Sequence, residues 1–237
     1  MLNFIFDLDD TLLATWDLFD VAENNFYDEL EKLGFDRKAV EHRFIQIDNA
    51  NVPIYGFMPK RIHISMGETY LFFCKETGLT SNDETKEKLE NIGRGIFETV
   101  PKLYDGAIDV LDQLKNKGDQ LFLWTKGDTN VQERKIREHN LSGYFKEIYI
   151  LTNKSKDELN SIVIENKLNP DSTWIVGDSI RSEINPALEL GLHAIWISNN
   201  TWRYEEVQPL KEDFIKIRSL KEIILKYSTL VGKSLVK

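Results

Sequence analysis

Asn3-Phe4-Ile5-Phe6-Asp7-Leu8-Asp9-Asp10-Thr11-Leu12 is the stretch that decides how this chain is read. An apolar run without alternation reads as a strand buried on both faces. It runs straight into three carboxylates and a threonine. Buried strands rarely end in stacked negative charge without a cation to offset it. Alternation along an extended chain sends Asp7 and Asp9 to the same side. Two carboxylates aimed at one point indicate a metal site, a nucleophile with an acid/base partner, or both. The competing reading is a helix N-terminus, where Asp and Thr cap free N–H groups.

Working outward, similar unalternating runs recur at residues 120–125, 147–151, 173–177 and 193–197. Helical patterns separate them. Ile108, Val110, Leu111 and Leu114 mark a helix over 107–117 that Gly118 stops. Thr129-Asn130-Val131-Gln132 reads as a capping box opening a helix toward His139, and Ser155-Lys156-Asp157-Glu158 as another, opening a helix through Lys167. Asn185-Pro186 starts a short helix that Gly191 ends. A further edge strand is expected at 214–217, followed by a terminal helix from the box Ser219-Leu220-Lys221-Glu222. Strands alternating with helices predict an α/β fold, a Rossmann-like doubly wound parallel sheet.

One interval breaks the rhythm. About a hundred residues separate the first strand from the second, far too many for a loop. Helices are expected at 16–33, 36–47, 66–77 and from a Ser81 cap through 97, with a Pro-, Gly- and aromatic-rich stretch at 51–64. The expected organisation is an α/β core of residues 1–14 and 100–237, interrupted by a helical domain of residues 15–99, with hinges near 13–17 and 98–104.

In an open parallel sheet, ligands sit beyond the carboxyl ends of the strands. There the sequence places Asp7, Asp9 and Thr11; then Thr125, Lys126 and Asp128; then Lys154 and Lys156; then Asp178, Arg181 and Glu183. Asp7, Asp178 and Glu183 form a hard oxygen set suited to Mg²⁺, which takes a few carboxylates plus water and phosphate. Neither His nor Cys falls in this crevice, which argues against zinc. Thr125 and a lysine beyond the third strand fit phosphate oxygens, and the lysine offsets the carboxylates. Ser155 as N-cap leaves Lys154 in the loop and puts Lys156 on the helix, so Lys154 is preferred. The set describes phosphoryl transfer by a carboxylate nucleophile.

Phe6-Asp7-Leu8-Asp9-Asp10-Thr11-Leu12 resembles the first signature, hydrophobic-D-x-D-x-T, of the haloacid dehalogenase (HAD) superfamily. Leu121-Phe122-Leu123-Trp124-Thr125 resembles its second motif, Lys154 the third-motif lysine, and Val176-Gly177-Asp178-Ser179-Ile180-Arg181-Ser182-Glu183 the acidic fourth. The insertion after the first strand lies where members with a helical cap carry it. The stretches after Thr125 and after Gly177 are similar to the branch of phosphatases acting on flavin mononucleotide and other small phosphates. The resemblance implies that Asp7 attacks phosphorus and that Asp9 protonates the leaving oxygen and then activates water. It implies Mg²⁺ on Asp7, the main-chain carbonyl of Asp9, and Asp178, with Glu183 reaching it through water. Thr125 and Lys154 would hold the phosphoryl group, with Lys126 at the substrate. The rivals are a phosphomutase of the same fold, a haloacid dehalogenase, and a non-catalytic binding module.

The 237 residues carry 30 Lys and Arg against 39 Asp and Glu, a net charge of −9. That disfavours nucleic acid as a partner and requires local positive charge to hold an anionic substrate. The expected partner is a small phosphorylated metabolite, bound by a monomer or weak homodimer. Cys74 is the one cysteine, which excludes an intrachain disulfide and a Cys-rich metal site. With no basic leader or membrane-length apolar run in the sequence, a cytoplasmic location is expected.

Overall fold

Asn3–Phe6 forms strand β1, buried along its whole length, in a computed structural model that describes residues 1–198 and 207–235. The chain divides into two compact units, Met1–Thr15 with Lys102–Lys237, and Trp16–Pro101.

The second unit is helical: α1 (Thr15–Lys32), α2 (Arg37–Tyr55), α3 (Lys60–Thr77) and α4 (Asp83–Glu98). Phe26, Phe44, Met66, Tyr70, Leu89 and Ile96 from the four helices make its core. Helix α2 outruns its expected end at 47 and continues through Pro53 to Tyr55. A proline in the last turn removes only one hydrogen bond of the ladder. Gly56 then ends the helix with φ 62, a conformation that favours glycine. Helix α4 is capped by Asn82, whose side chain accepts from the Thr85 N–H at 3.0 Å, and not by Ser81 as the sequence pattern predicts.

The first unit is built on one sheet. Strands β2 (Gln120–Lys126), β3 (Glu147–Leu151), β4 (Thr173–Gly177), β5 (His193–Ile197) and β6 (Ile215–Ile217) join β1 in the order β3-β2-β1-β4-β5-β6. Every pairing is parallel. A parallel sheet covered on both faces explains why its central strands are apolar at consecutive positions.

The two faces sort by alternation. Phe4 and Phe6, with Leu123 and Val176, face a cluster that includes Val110, Leu111 and Leu114 of α5 (Ala107–Asn116) and Ile136 of α6 (Thr129–Glu138). Ile5, Phe122, Trp124 and Ile175 face Leu159 and Ile162 of α7 (Lys156–Glu165) and Ala187 and Leu188 of α8 (Asn185–Glu189). Ile223 of α9 (Lys221–Leu225) and Leu230 of α10 (Tyr227–Lys233) complete the first face. Each fully buried side chain of this size contributes roughly 1.5–3 kcal/mol. Strand β1 is flanked by β2 on one side and β4 on the other, so the strand order reverses at its carboxyl end. A doubly wound sheet opens its binding crevice there.

Candidate active site

The backbone after β1 turns sharply. The Asp7 N–H still donates to the Val176 carbonyl of β4, at 2.9 Å. The Leu8 carbonyl then accepts from the N–H groups of Leu12 and Leu13, at 2.9 and 3.0 Å. Asp10 takes the left-handed conformation, φ 57, which Asp tolerates better than most residues. The extended alternation expected for Asp7 and Asp9 therefore stops at Asp7, and the two carboxylates take different partners.

Asp7 and Glu183 share one lysine. Lys154 Nζ lies 2.5 Å from Asp7 Oδ1 and 2.7 Å from Glu183 Oε1. Its ammonium also sits 4.7 Å from the centre of the Trp124 ring. Burial pushes the Asp7 carboxyl up to about 6, and the nearby charges of Glu183 and Asp9 add to this against the pull of Lys154. Burial works against the charge of Lys154 too, but Asp7 and Glu183 outweigh it and hold the proton more firmly than usual. Lys156 is on the surface, paired with Glu189 at 3.4 Å.

Glu183 reaches Lys154 because of the turn that carries it. After β4, Ile180–Ile184 forms one wide π turn in which the Ile184 N–H reaches the Ser179 carbonyl. Such turns recur at functional sites. Glu183 Oε2 accepts from the Ser179 N–H at 2.9 Å, so both carboxylate oxygens have protein donors. Gly177 makes room for this arm: a Cβ there would lie 2.4 Å from Glu183 Cγ. Asp178 is half-buried, and its main-chain carbonyl accepts from Trp196 Nε1 at 2.7 Å. Burial, followed by the charges of Glu183, Asp7 and Asp10, pushes its carboxyl well above the usual range.

Asp9 has a second, separate set of donors. Oδ1 accepts from Thr15 Oγ1 at 2.5 Å and from Lys135 Nζ at 2.7 Å, and Oδ2 accepts from Gln132 Nε2 at 2.8 Å. Burial raises its carboxyl, but Lys135 leads the groups that outweigh it and hold Asp9 below the usual range. Thr125, at the end of β2, is buried, and its Oγ1 accepts from the same Gln132 nitrogen at 2.6 Å. Lys126 extends from β2 toward the β4 loop and donates to Ser182 Oγ at 3.1 Å.

A family model for haloacid dehalogenase-like hydrolases matches residues 4–197. The chain belongs to this family. The chain is 28% identical over 116 residues to YfnB of Bacillus subtilis strain 168, a HAD-hydrolase by name, covering 46% of this chain and 49% of that one. It is 24% identical over 114 residues to the pyrimidine 5'-nucleotidase PynA of Streptococcus pneumoniae, covering 45% and 48%. It thus spans about half the length of the curated relatives it matches. A haloacid dehalogenase-like hydrolase structure from Xanthomonas campestris superposes with TM-score 0.80 at 22% identity, over 98% of this chain and 93% of that one. A YfnB structure bound to magnesium superposes with TM-score 0.64 at 21% identity, over 97% and 98%.

The chain holds no ready-made metal cluster of three His, Cys, Asp or Glu side chains among the described residues. Glu183, expected to serve a metal through water, bonds Lys154 and the Ser179 N–H. Burial raises the Asp7 and Asp178 carboxyls, and like charges add to it, those of Glu183 and Asp9 at Asp7 and those of Glu183, Asp7 and Asp10 at Asp178. Two such acids fit Mg²⁺, which keeps several waters and binds through one or two carboxylates.

Thr15, Gln132 and Lys135 were not singled out in the sequence. The capping-box pattern assigned Gln132 to the helix end. The cap of α6 is instead Asp128, whose side chain accepts from the Val131 N–H at 3.1 Å. That releases Gln132, and the i, i+3 spacing puts Lys135 on the same face of α6. No described helix is long and apolar enough to cross a membrane.

Proposed function

We propose that this hydrolase is a magnesium-dependent phosphatase that cleaves a small phosphate monoester through an aspartyl-phosphate on Asp7. The observation that carries this reading is the division of labour between two carboxylates two residues apart. Asp7 faces a buried lysine, and Asp9 faces another set of donors.

Asp7 Oδ attacks phosphorus and the ester oxygen leaves. Lys154, already fixed beside Asp7, meets the negative charge on the phosphoryl oxygens, and the Thr125 hydroxyl donates to them. Asp9 gives a proton to the leaving oxygen, then takes one from the water that hydrolyses the acyl phosphate. Glu183 holds Lys154 in place. Lys126 stands at the rim for the substrate. Asp7, Asp178 and the Asp9 carbonyl are the groups that would hold Mg²⁺, with Glu183 acting through Lys154. The cation supplies positive charge against the carboxylates and the phosphoryl oxygens.

The relative named as a pyrimidine 5'-nucleotidase and the magnesium in the YfnB structure support this reading. The second carboxylate at Asp9 argues against a dehalogenase, which needs no Mg²⁺ and usually lacks that residue. The inserted helical unit is proposed as a cap that chooses the leaving group, as lids do by excluding water. The test is phosphate release from p-nitrophenyl phosphate, nucleoside monophosphates, flavin mononucleotide and sugar phosphates, with Mg²⁺ and with EDTA. Release that needs Mg²⁺ and disappears in Asp7→Asn supports the proposal. Equal rates after chelation, or near-normal rates in Asp7→Asn, overturn it.

A further inference from the structure

Helix α6 sends two side chains into the crevice that the reaction above does not use. Gln132 and Lys135 are both buried, 2% and 6% exposed, although Gln and Lys are ordinarily surface residues. Burying a lysine is unfavourable unless its charge is matched, and the match here is Asp9, 2.7 Å away. Gln132 Nε2 touches Asp9 Oδ2 at 2.8 Å and Thr125 Oγ1 at 2.6 Å. An ionised carboxylate only accepts, so the amide nitrogen must be the atom that faces it. The same nitrogen therefore donates to Thr125 Oγ1, and the Thr125 hydrogen is left to point at another acceptor.

We propose that Gln132 and Lys135 are positioning residues of this hydrolase, acting through Asp9 and Thr125. Lys135, with Thr15, fixes the direction of the Asp9 carboxyl. Gln132 ties that carboxyl to the Thr125 hydroxyl and orients the hydroxyl as a donor to an anionic oxygen. One helix face thereby sets the distance between the acid/base group and the group that binds the phosphoryl oxygens. The inference rests on the phosphatase reading of the site.

The experiment compares Lys135→Met, Lys135→Arg and Gln132→Leu with the full-length wild type on two esters, p-nitrophenyl phosphate and a nucleoside 5'-monophosphate. An alkyl leaving group needs its proton in the transition state far more than a nitrophenolate does. Misdirecting Asp9 should lower kcat on the nucleotide by about 100-fold or more, and on the nitrophenyl ester by under about 10-fold. Lys135→Arg should recover part of the loss. Gln132→Leu should also raise KM on both esters, because the Thr125 donor is no longer oriented. Equal losses on the two esters, or unchanged or faster turnover, overturn the inference. A wild type that releases no phosphate from any ester overturns the phosphatase reading and this inference with it. Unfolding temperatures of the three variants separate misfolding from misdirection. If Lys135→Met does not fold, Lys135→Arg and Gln132→Leu still give the leaving-group comparison.

Discussion

Lys154 Nζ lies 2.5 Å from Asp7 Oδ1, inside the protein and with only 1% of its side chain exposed. Lys156, two residues on, is 48% exposed and pairs with Glu189 across 3.4 Å. The two lysines should therefore respond to substitution in opposite ways. Lys154→Met removes the cation between Asp7 and Glu183 and leaves buried carboxylates without their partner. Activity should fall by at least about 100-fold, and stability by about 3–5 kcal/mol. Lys156→Ala should keep its activity and stay within about 0.5 kcal/mol of wild type, because exposed ion pairs contribute little. Steady-state rates and urea unfolding of the two variants check this. Similar losses in both would remove Lys154 from the site.

Gly177 should be as sensitive as a site residue, although it contacts no substrate in the proposed reaction. A Cβ at 177 would lie 2.4 Å from Glu183 Cγ and 2.7 Å from its Cβ. These atoms lie near the backbone and have little freedom to move, so the turn itself must shift. Gly177→Ala should displace Glu183, loosen Lys154 and lower kcat by about 10-fold or more, with a stability loss of roughly 1–3 kcal/mol from overpacking. Kinetics beside a melting curve separate the two effects. Wild-type kcat in the folded variant would sever the link from Gly177 to Lys154.

The Asp7 carboxyl is raised from 3.8 to about 6 in the folded protein. A raised carboxyl gives the native state stability that is fully present below pH 3.8 and is lost as pH rises through about 6. At neutral pH the metal-free protein therefore carries a charged Asp7 in an unfavourable place. Asp7→Asn has no charge to bury, so in EDTA it should unfold at a higher temperature than wild type at pH 8. A shift of this size corresponds to about 2–3 kcal/mol. The gap should shrink as pH falls from 6 toward 4. Melting curves of both proteins across this range test it, and a gap independent of pH would show that burial does not hold Asp7 high.

The central strands were legible because a parallel sheet leaves apolar residues at consecutive positions, as in Asn3–Phe6 and Thr173–Gly177. Polar residues at their carboxyl ends, Asp7, Thr125 and Asp178, then stand out against that background. The partners of these residues were not legible in the same way. Gln132 fitted a capping box because Asp128, the real cap, stands one residue before Thr129. Lys135 in a sequence is an ordinary surface lysine until folding lays α6 beside Asp9. Glu183 read as a metal ligand because its type and spacing suit one. Its two oxygens are claimed by Lys154 and the Ser179 N–H only once the π turn is formed. Helix α2 ran past its expected end because a proline in a last turn removes little, although proline ordinarily signals a break.

The helical unit has its own buried charge, and it makes the last prediction. Asp48 and Arg61 form an ion pair with 0% and 5% of their side chains exposed. Asp48 Oδ1 also accepts from Ser65 Oγ at 2.9 Å, and Ser65 Oγ in turn accepts from Asn51 at 3.1 Å. Removing one partner leaves the other buried without its counter-charge, while replacing both with apolar side chains removes the problem. Asp48→Ala should therefore destabilise by about 3–5 kcal/mol, and the double variant Asp48→Leu with Arg61→Met should regain most of that loss. Ser65 and Asn51 keep each other as partners, which limits the damage to the network in the double variant. Urea unfolding of the wild type, the single and the double variants decides it. A double variant no more stable than the single would mean that this pair holds the α2 and α3 helices together by a contact that apolar packing cannot replace.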